Sequence, residues 1–252
     1  MPSWDATHYL LDVALKREKD PPMDRYPFSL PGIRGLAEER LVFHPAVTFL
    51  VGENGSGKST LLEAIAVAWG FNAEGGTRNF NFSTVASHST LHDYLRLGRS
   101  GRRARDGFFL RAESFYNVAS NIDALGGDVV EAYGGESLHA QSHGESFMSL
   151  VEHRFRGEGL YVLDEPEAAL SPTRQMALLA RIHAQGLRNA QFIIATHSPI
   201  LMAYPDAQIV QIGPQGLQHV HYRETEHYLV TRAFLENPER QLHYLLDDAE
   251  QA

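Results

Sequence analysis

The sequence predicts an α/β fold, a mostly parallel central sheet with helices on both faces. Three observations predict it. Short apolar runs of strand length alternate with longer stretches of helical period. The runs at 47–51, 160–163 and 191–195 are apolar almost throughout, as strands covered on both faces are. The first of them leads directly into a glycine-rich loop and then a helical segment at 61–68.

Taken in order, residues 1–30 read as a polar lead-in with a short helix over 8–19, ended by Pro21-Pro22. Residues 41–51 read as strands. From 72 to 106 periodicity is weak and Gly, Ser, Thr and Arg are frequent, so a small helical or irregular insertion is expected. Strand character resumes at 108–112. Residues 121–141, with Gly126-Gly127 and Gly134-Gly135, read as loop. Phe147, Leu150, Val151 and Phe155 recur at helical spacing and predict a helix over 145–155. Ser171-Pro172 supplies an N-cap and a proline at the first helical position, with a helix running to about 187. Shorter strands are expected over 207–212 and 217–222. Residues 226–246 read as one or two amphipathic helices divided at Pro238. One domain over 1–252 accommodates all of this. Its core spans 41–212, the insertion 72–106, a lobe 121–156 and the C-terminal helices 226–247.

A chain of 252 residues can bury one large core. Its 43% hydrophobic and 21% charged content is ordinary for a globular protein. No apolar run approaches the ~20 residues that span a bilayer, so direct membrane insertion is not expected. The opening Met1-Pro2-Ser3-Trp4-Asp5 lacks the basic and apolar regions of a secretory signal. The absence of cysteine excludes disulfides, thiolate metal sites and cysteine nucleophiles, and fits the cytoplasm. A net charge of −9 argues against non-specific polyanion binding by the whole surface. Arg96, Arg99, Arg102, Arg103 and Arg105 are a local exception. A solvated loop is the plainer account of them, and a nucleic-acid or acidic-partner contact is the alternative.

The stretch Gly52-Glu53-Asn54-Gly55-Ser56-Gly57-Lys58-Ser59-Thr60 fits the phosphate-loop pattern G-x-x-x-x-G-K-[ST], in the strand–loop–helix context that pattern needs. Its glycines let successive N–H groups turn inward at phosphate oxygens, and the following helix N-terminus adds partial positive charge. Lys58 is expected to bridge the β- and γ-phosphates, and the Ser59 hydroxyl to ligate Mg²⁺. The chain is therefore expected to bind a nucleoside triphosphate.

Further segments gain weight from their order. The strand at 160–163 ends in Asp164-Glu165, which puts two carboxylates at the carboxyl edge of the sheet. Asp164 suits Mg²⁺, and Glu165 suits polarising a water for attack on the γ-phosphate. The strand at 191–195 ends in Thr196-His197, an imaginable contact for that phosphate. Ser142, Gly144 and Glu145 start a helix and combine a hydroxyl, a free backbone N–H and a helix dipole, an anion site or else an ordinary N-cap. Glu113 follows the strand at 108–112 and sits on the same sheet edge.

The sequence of phosphate loop, polar loop, Ser-x-Gly-x signature, Asp-Glu strand and His strand resembles the ATP-binding-cassette (ABC) superfamily of P-loop ATPases over residues 41–212. The Gly-x-Asn-Gly-Ser-Gly-Lys-Ser and Ser-x-Gly-Glu forms are similar to its soluble chromosome-maintenance and DNA-repair branch. The string Leu163–Ser171 and the tail from Thr231 to Arg240 resemble a group of short bacterial AAA-family predicted ATPases. The resemblance implies an ABC-type ATPase head with a small insertion, working with ATP and Mg²⁺. It implies a head-to-tail homodimer with ATP sandwiched between copies, in which Ser142, Gly144 and Glu145 contact the other copy's nucleotide. It makes Glu165 the general base, His197 the γ-phosphate switch, and Glu113 a stand-in for a Gln near Mg²⁺. Three departures are plain: His143 and Glu145 in the signature, Leu170-Ser171 where Leu-Asp is usual, and Glu113 itself. No long coiled coil separates Glu113 from Ser142. The work so powered is expected to involve a protein partner or nucleic acid, in repair or defence. A membrane transporter's ATP-binding subunit and a slowly hydrolysing ATP-gated interaction module are the alternatives.

Overall fold

The computed structural model describes residues 9–77, 89–111, 115, 119–120, 139 and 142–250. Glu113 and nearly all of 121–141 lie outside them. Among the described residues the strands are β1 (Leu10–Leu15), β2 (Leu41–Val42), β3 (Val47–Val51), β4 (Leu95–Arg99), β5 (Asp106–Arg111), β6 (Gly159–Asp164), β7 (Gln191–Ala195), β8 (Gln208–Gly213) and β9 (Gly216–His219). The helices are α1 (Pro31–Glu38), α2 (Lys58–Trp69), α3 (His143–Arg154), α4 (Pro172–Gly186), α5 (Pro199–Met202), α6 (Glu226–Glu236) and α7 (Pro238–Glu250).

The main sheet has the order β5-β6-β7-β3-β8-β9. All its pairings are parallel except the β8–β9 hairpin at the edge. Side-chain alternation explains why the central strands read as continuous apolar runs. On β6, Tyr161 and Leu163 join one core layer with α3 and α4 residues such as Phe147, Leu150, Leu178 and Ile182. Leu160 and Val162 join the opposite layer with Leu61, Leu62 and Ile65 of α2. Both faces are covered, so no polar face is left to break the run.

A second sheet, β2-β1-β4, is antiparallel. It corrects two expectations. The helix expected over 8–19 is replaced, among its described residues, by a strand over 10–15 and a 3₁₀ turn over 17–19, because Leu10, Val13 and Leu15 are buried in a strand paired with β4 some 80 residues on. The segment 72–106 is not merely helical or irregular, because it contributes β4 and the start of β5. Local pattern could not see the partner that decides either case. Gln191 fastens the two sheets together. It is fully buried, its Oε1 accepts from the N–H groups of Tyr9 and Leu10 at 3.0 Å each, and its Nε2 donates to the carbonyls of Leu10 and His44. The strand expected over 217–222 is shorter, because a 3₁₀ turn begins at Tyr222. The division of 226–246 at Pro238 is as expected. No helix among the described residues is long and apolar enough to cross a membrane.

Candidate functional site

Three neighbouring strands, β6-β7-β3, bring the predicted groups to one edge. Their register pairs Asp164 with Ala195 and Ala195 with Leu50. The chain therefore leaves the sheet at one level with Glu165 on one strand, Thr196-His197 on the next and the phosphate loop on the third. Ligands of open α/β sheets sit at such carboxyl edges.

The phosphate loop is shaped by backbone limits. Gly52 has φ 145°, and a Cβ there would lie 2.2 Å from the Ile212 carbonyl oxygen, so only glycine fits. Gly55 has φ 79°, and its Cβ side meets nothing within 4 Å. That is the open approach a phosphate needs to reach backbone N–H groups. Lys58 opens α2 and is only 4% exposed. Its Nζ donates to the carbonyls of Gly52 (2.8 Å) and Glu53 (2.9 Å). Burial lowers its pKa, while Glu165, Asp164 and Glu167 pull the other way. The Ser56 hydroxyl is buried and has no hydrogen-bond partner among the described residues. A cavity of about 230 Å³ lies over the loop from Gly52 to Ser56 and is also lined by Gln211, Glu226 and His227.

Ser59, Asp164 and Glu165 meet in a second cavity of about 320 Å³, together with Arg111 and His143. Asp164 is 5% exposed, with the Arg111 Nε 3.7 Å from its Oδ2. Arg111 also donates to Glu63 at 2.7 Å. No group of three or more His, Cys, Asp or Glu residues among the described ones could cage a metal ion. One hydroxyl and one carboxylate, completed by phosphate oxygens, is nevertheless the donor set on which a magnesium nucleotide relies. Glu165 has φ 48°, a left-handed conformation costing a non-glycine residue roughly 1–2 kcal/mol. Its N–H is tied to the Ala195 carbonyl at 2.9 Å, and its side chain is 42% exposed. The turn thus aims a hydrated carboxylate away from the buried strand.

His197 stands 3.6 Å from Glu165, measured from Nε2 to Oε1. Its backbone N–H donates to Glu167 at 2.5 Å. Burial raises the Glu167 pKa, with that N–H opposing the rise. The His197 Nδ1 lies 2.8 Å from Nε2 of His227, with the rings 4.9 Å apart. Burial lowers the pKa of both imidazoles, and the Lys58 charge adds to it. At His227 the Glu226 carboxylate opposes the shift, and on balance both rings favour the neutral form.

The signature segment is engaged within its own chain. The Ser142 N–H and hydroxyl both donate to Glu145, at 3.1 and 2.7 Å. Those bonds hold the Glu145 carboxyl below its usual pKa. Arg174 of α4 donates to the other Glu145 oxygen at 3.1 Å. Gly144 is buried against the same guanidinium, where a Cβ would come within 2.2 Å of Nη1. Ser142 and Glu145 remain on the surface. Of this segment it is His143 that lines the Asp164–Glu165 cavity.

Sequence reasoning missed His227, Arg111, Glu167 and His143 as site residues. Arg111 and Glu167 adjoin motifs and carried a weak signal. His227 carried none, because it comes thirty residues after His197 and reaches it only through the return of α6.

An AAA domain family matches residues 28–116. A second family, described as an AAA domain, putative AbiEii toxin, type IV TA system, matches residues 146–203. No curated protein matches the chain. Among solved structures the chain is similar to the SMC head domain from Thermotoga maritima, at 17% identity and a TM-score of 0.45, over 84% of this chain and 98% of that one. It is also similar to cbiO1 from Clostridium perfringens, part of the ABC transporter complex cbiONQ, at 15% identity and a TM-score of 0.49, over 95% and 99%. A third is an SMC head bound to the C-winged helix domain of ScpA, at 17% and 0.44, over 72% and 92%. The two AAA-domain matches fall on the segments that build the site, the first on the phosphate loop and the second on the carboxylate and histidine strands. Two segments of the chain, residues 28–116 and 146–203, are thus similar to AAA domains, and between them they carry the phosphate loop, the paired carboxylates and the histidine of a P-loop ATPase.

Proposed function

We propose that the chain hydrolyses Mg·ATP with Glu165 as general base, and that ATP joins two copies head to tail. The observation that carries this is the adjacency of four groups on three strand ends: phosphate loop, Asp164, Glu165 and His197. The loop's N–H groups and Lys58 hold the phosphates. Ser59 and Asp164 would hold Mg²⁺, with Glu113 a further candidate, and the ion would offset the phosphate charge. Arg111 occupies Asp164 until the ion competes for it. Glu165 takes a proton from the attacking water, and His197 donates to a γ-phosphate oxygen. Ser142, Gly144 and Glu145 of one copy face the nucleotide of the other, so ATP completes both half-sites and stabilises the pair by linkage. Hydrolysis removes the bridging phosphate and releases the pair.

Sizing by light scattering tests the dimer. The Glu165→Gln protein is expected to double in mass with Mg·ATP and to return to a monomer without it. A monomer under both conditions removes the second copy's role.

The arginine cluster supports a nucleic-acid transaction over a transporter role. Arg96 and Arg99 on β4 and Arg102, Arg103 and Arg105 beyond it are all exposed. Arg105 is paired with Glu158, and Arg99 stacks over Trp69. Anisotropy with labelled duplex DNA across a salt series is expected to give an affinity that falls linearly on logarithmic axes with a slope of about −3 to −4.5, for three to five phosphate contacts. Absence of binding at low salt contradicts it.

A further inference from the structure

The ring of His227 lies within hydrogen-bond distance of the ring of His197. We propose that His227 is a positioning residue for His197, fixing the tautomer in which His197 carries its proton on Nε2. The proposal rests on His197 being the γ-phosphate contact.

The argument is one of proton counting. Two neutral imidazoles 2.8 Å apart share one hydrogen bond, so one nitrogen donates and the other accepts. If His197 donated from Nδ1, its Nε2 would be bare. That bare nitrogen would face the Glu165 carboxylate at 3.6 Å and a phosphate, all of them acceptors. If His227 donates instead, the His197 Nε2 carries hydrogen and points a donor at both. The His197 Nε2 is buried and makes no hydrogen bond among the described residues, as a donor kept for an absent acceptor would be. The other His197 contact, its backbone N–H on Glu167, holds the main chain but leaves the ring tautomer open.

The placement of His227 is built in. Thr225 is fully buried, donates its hydroxyl to the Tyr222 carbonyl at 2.8 Å, and caps the first turn of α6 by accepting from the Tyr228 N–H. Within α6 only His227 and Tyr228 are shielded. Leu229, Val230, Phe234 and Leu235 are exposed. The helix is thus held to the body of the molecule by its first turn, and that turn sets His227 against His197. His227 and Glu226 also line the cavity over the phosphate loop.

The test uses the full chain with His227→Leu, which removes the donor, and His227→Gln, whose amide can replace it. Histidine ¹⁵N shifts of the wild-type protein are expected to show His197 protonated on Nε2, and in His227→Leu a mixture of tautomers. Turnover is expected to fall about tenfold in His227→Leu with KM for ATP changed less than about threefold, and to recover in His227→Gln. His197→Ala is expected to cost as much alone as together with His227→Leu. A wild-type His197 protonated on Nδ1 overturns the proposal, whatever the variants do. So does a double variant distinctly slower than His197→Ala, which would mark His227 as structural. If His197→Ala turns over normally while the shifts show the Nε2 tautomer, the γ-phosphate assignment fails and the pairing stands.

Discussion

Glu165→Gln is expected to lower ATP turnover by roughly 10²–10⁴ while leaving Mg·ATP affinity within a few-fold of wild type. The amide keeps the shape and most hydrogen bonds of the carboxylate but cannot accept a proton from water. The backbone argues for a positional effect without a folding effect. The left-handed turn at Glu165 is held by its own N–H on the Ala195 carbonyl, which the substitution does not touch. The carboxylate is 42% exposed, so no buried partner is orphaned. Single-turnover hydrolysis alongside equilibrium nucleotide binding separates the two quantities. Wild-type turnover in this variant would show that another group activates the water.

Lys58→Ala is expected to act on the earlier step. Its ammonium is nearly buried and rests on two carbonyl oxygens, Gly52 and Glu53. Bound phosphates offer it stronger, charged acceptors in the same place. Two charge-assisted hydrogen bonds at roughly 1.5–3 kcal/mol each correspond to an affinity loss of about 10²–10⁴. Folding is expected to survive, because the loop's shape is set by Gly52 and by the Ile212 carbonyl rather than by the lysine. Nucleotide binding by the Lys58→Ala protein at near wild-type affinity would mean that the triphosphate lies elsewhere.

Much of this site was legible before the structure because its chemistry is local. A phosphate loop is one continuous peptide whose glycines answer to backbone geometry, so nine residues announce it. The strands that end in Asp164-Glu165 and in His197 were legible for a related reason: covering both faces of a strand makes it apolar from end to end. What stayed hidden depends on distant pairing. Leu10–Leu15 has a pattern that a helix or a strand could use, and only β4 decides between them. Gln191 starts an apolar strand, and nothing local shows that its four hydrogen bonds join the two sheets. His227 was invisible because no spacing rule connects a C-terminal helix to a central strand. The Ser142 segment shows the limit of motif logic in another way. Its hydroxyl donates to Glu145, as an N-cap alone also requires, and Glu145 in turn accepts from Arg174.

The most direct test is a calorimetric titration of the folded wild-type chain with Mg·ATP. The predicted result is saturable uptake of one nucleotide per chain, abolished by Lys58→Ala and retained by Glu165→Gln. Folded protein that takes up no nucleotide would contradict the account at its root.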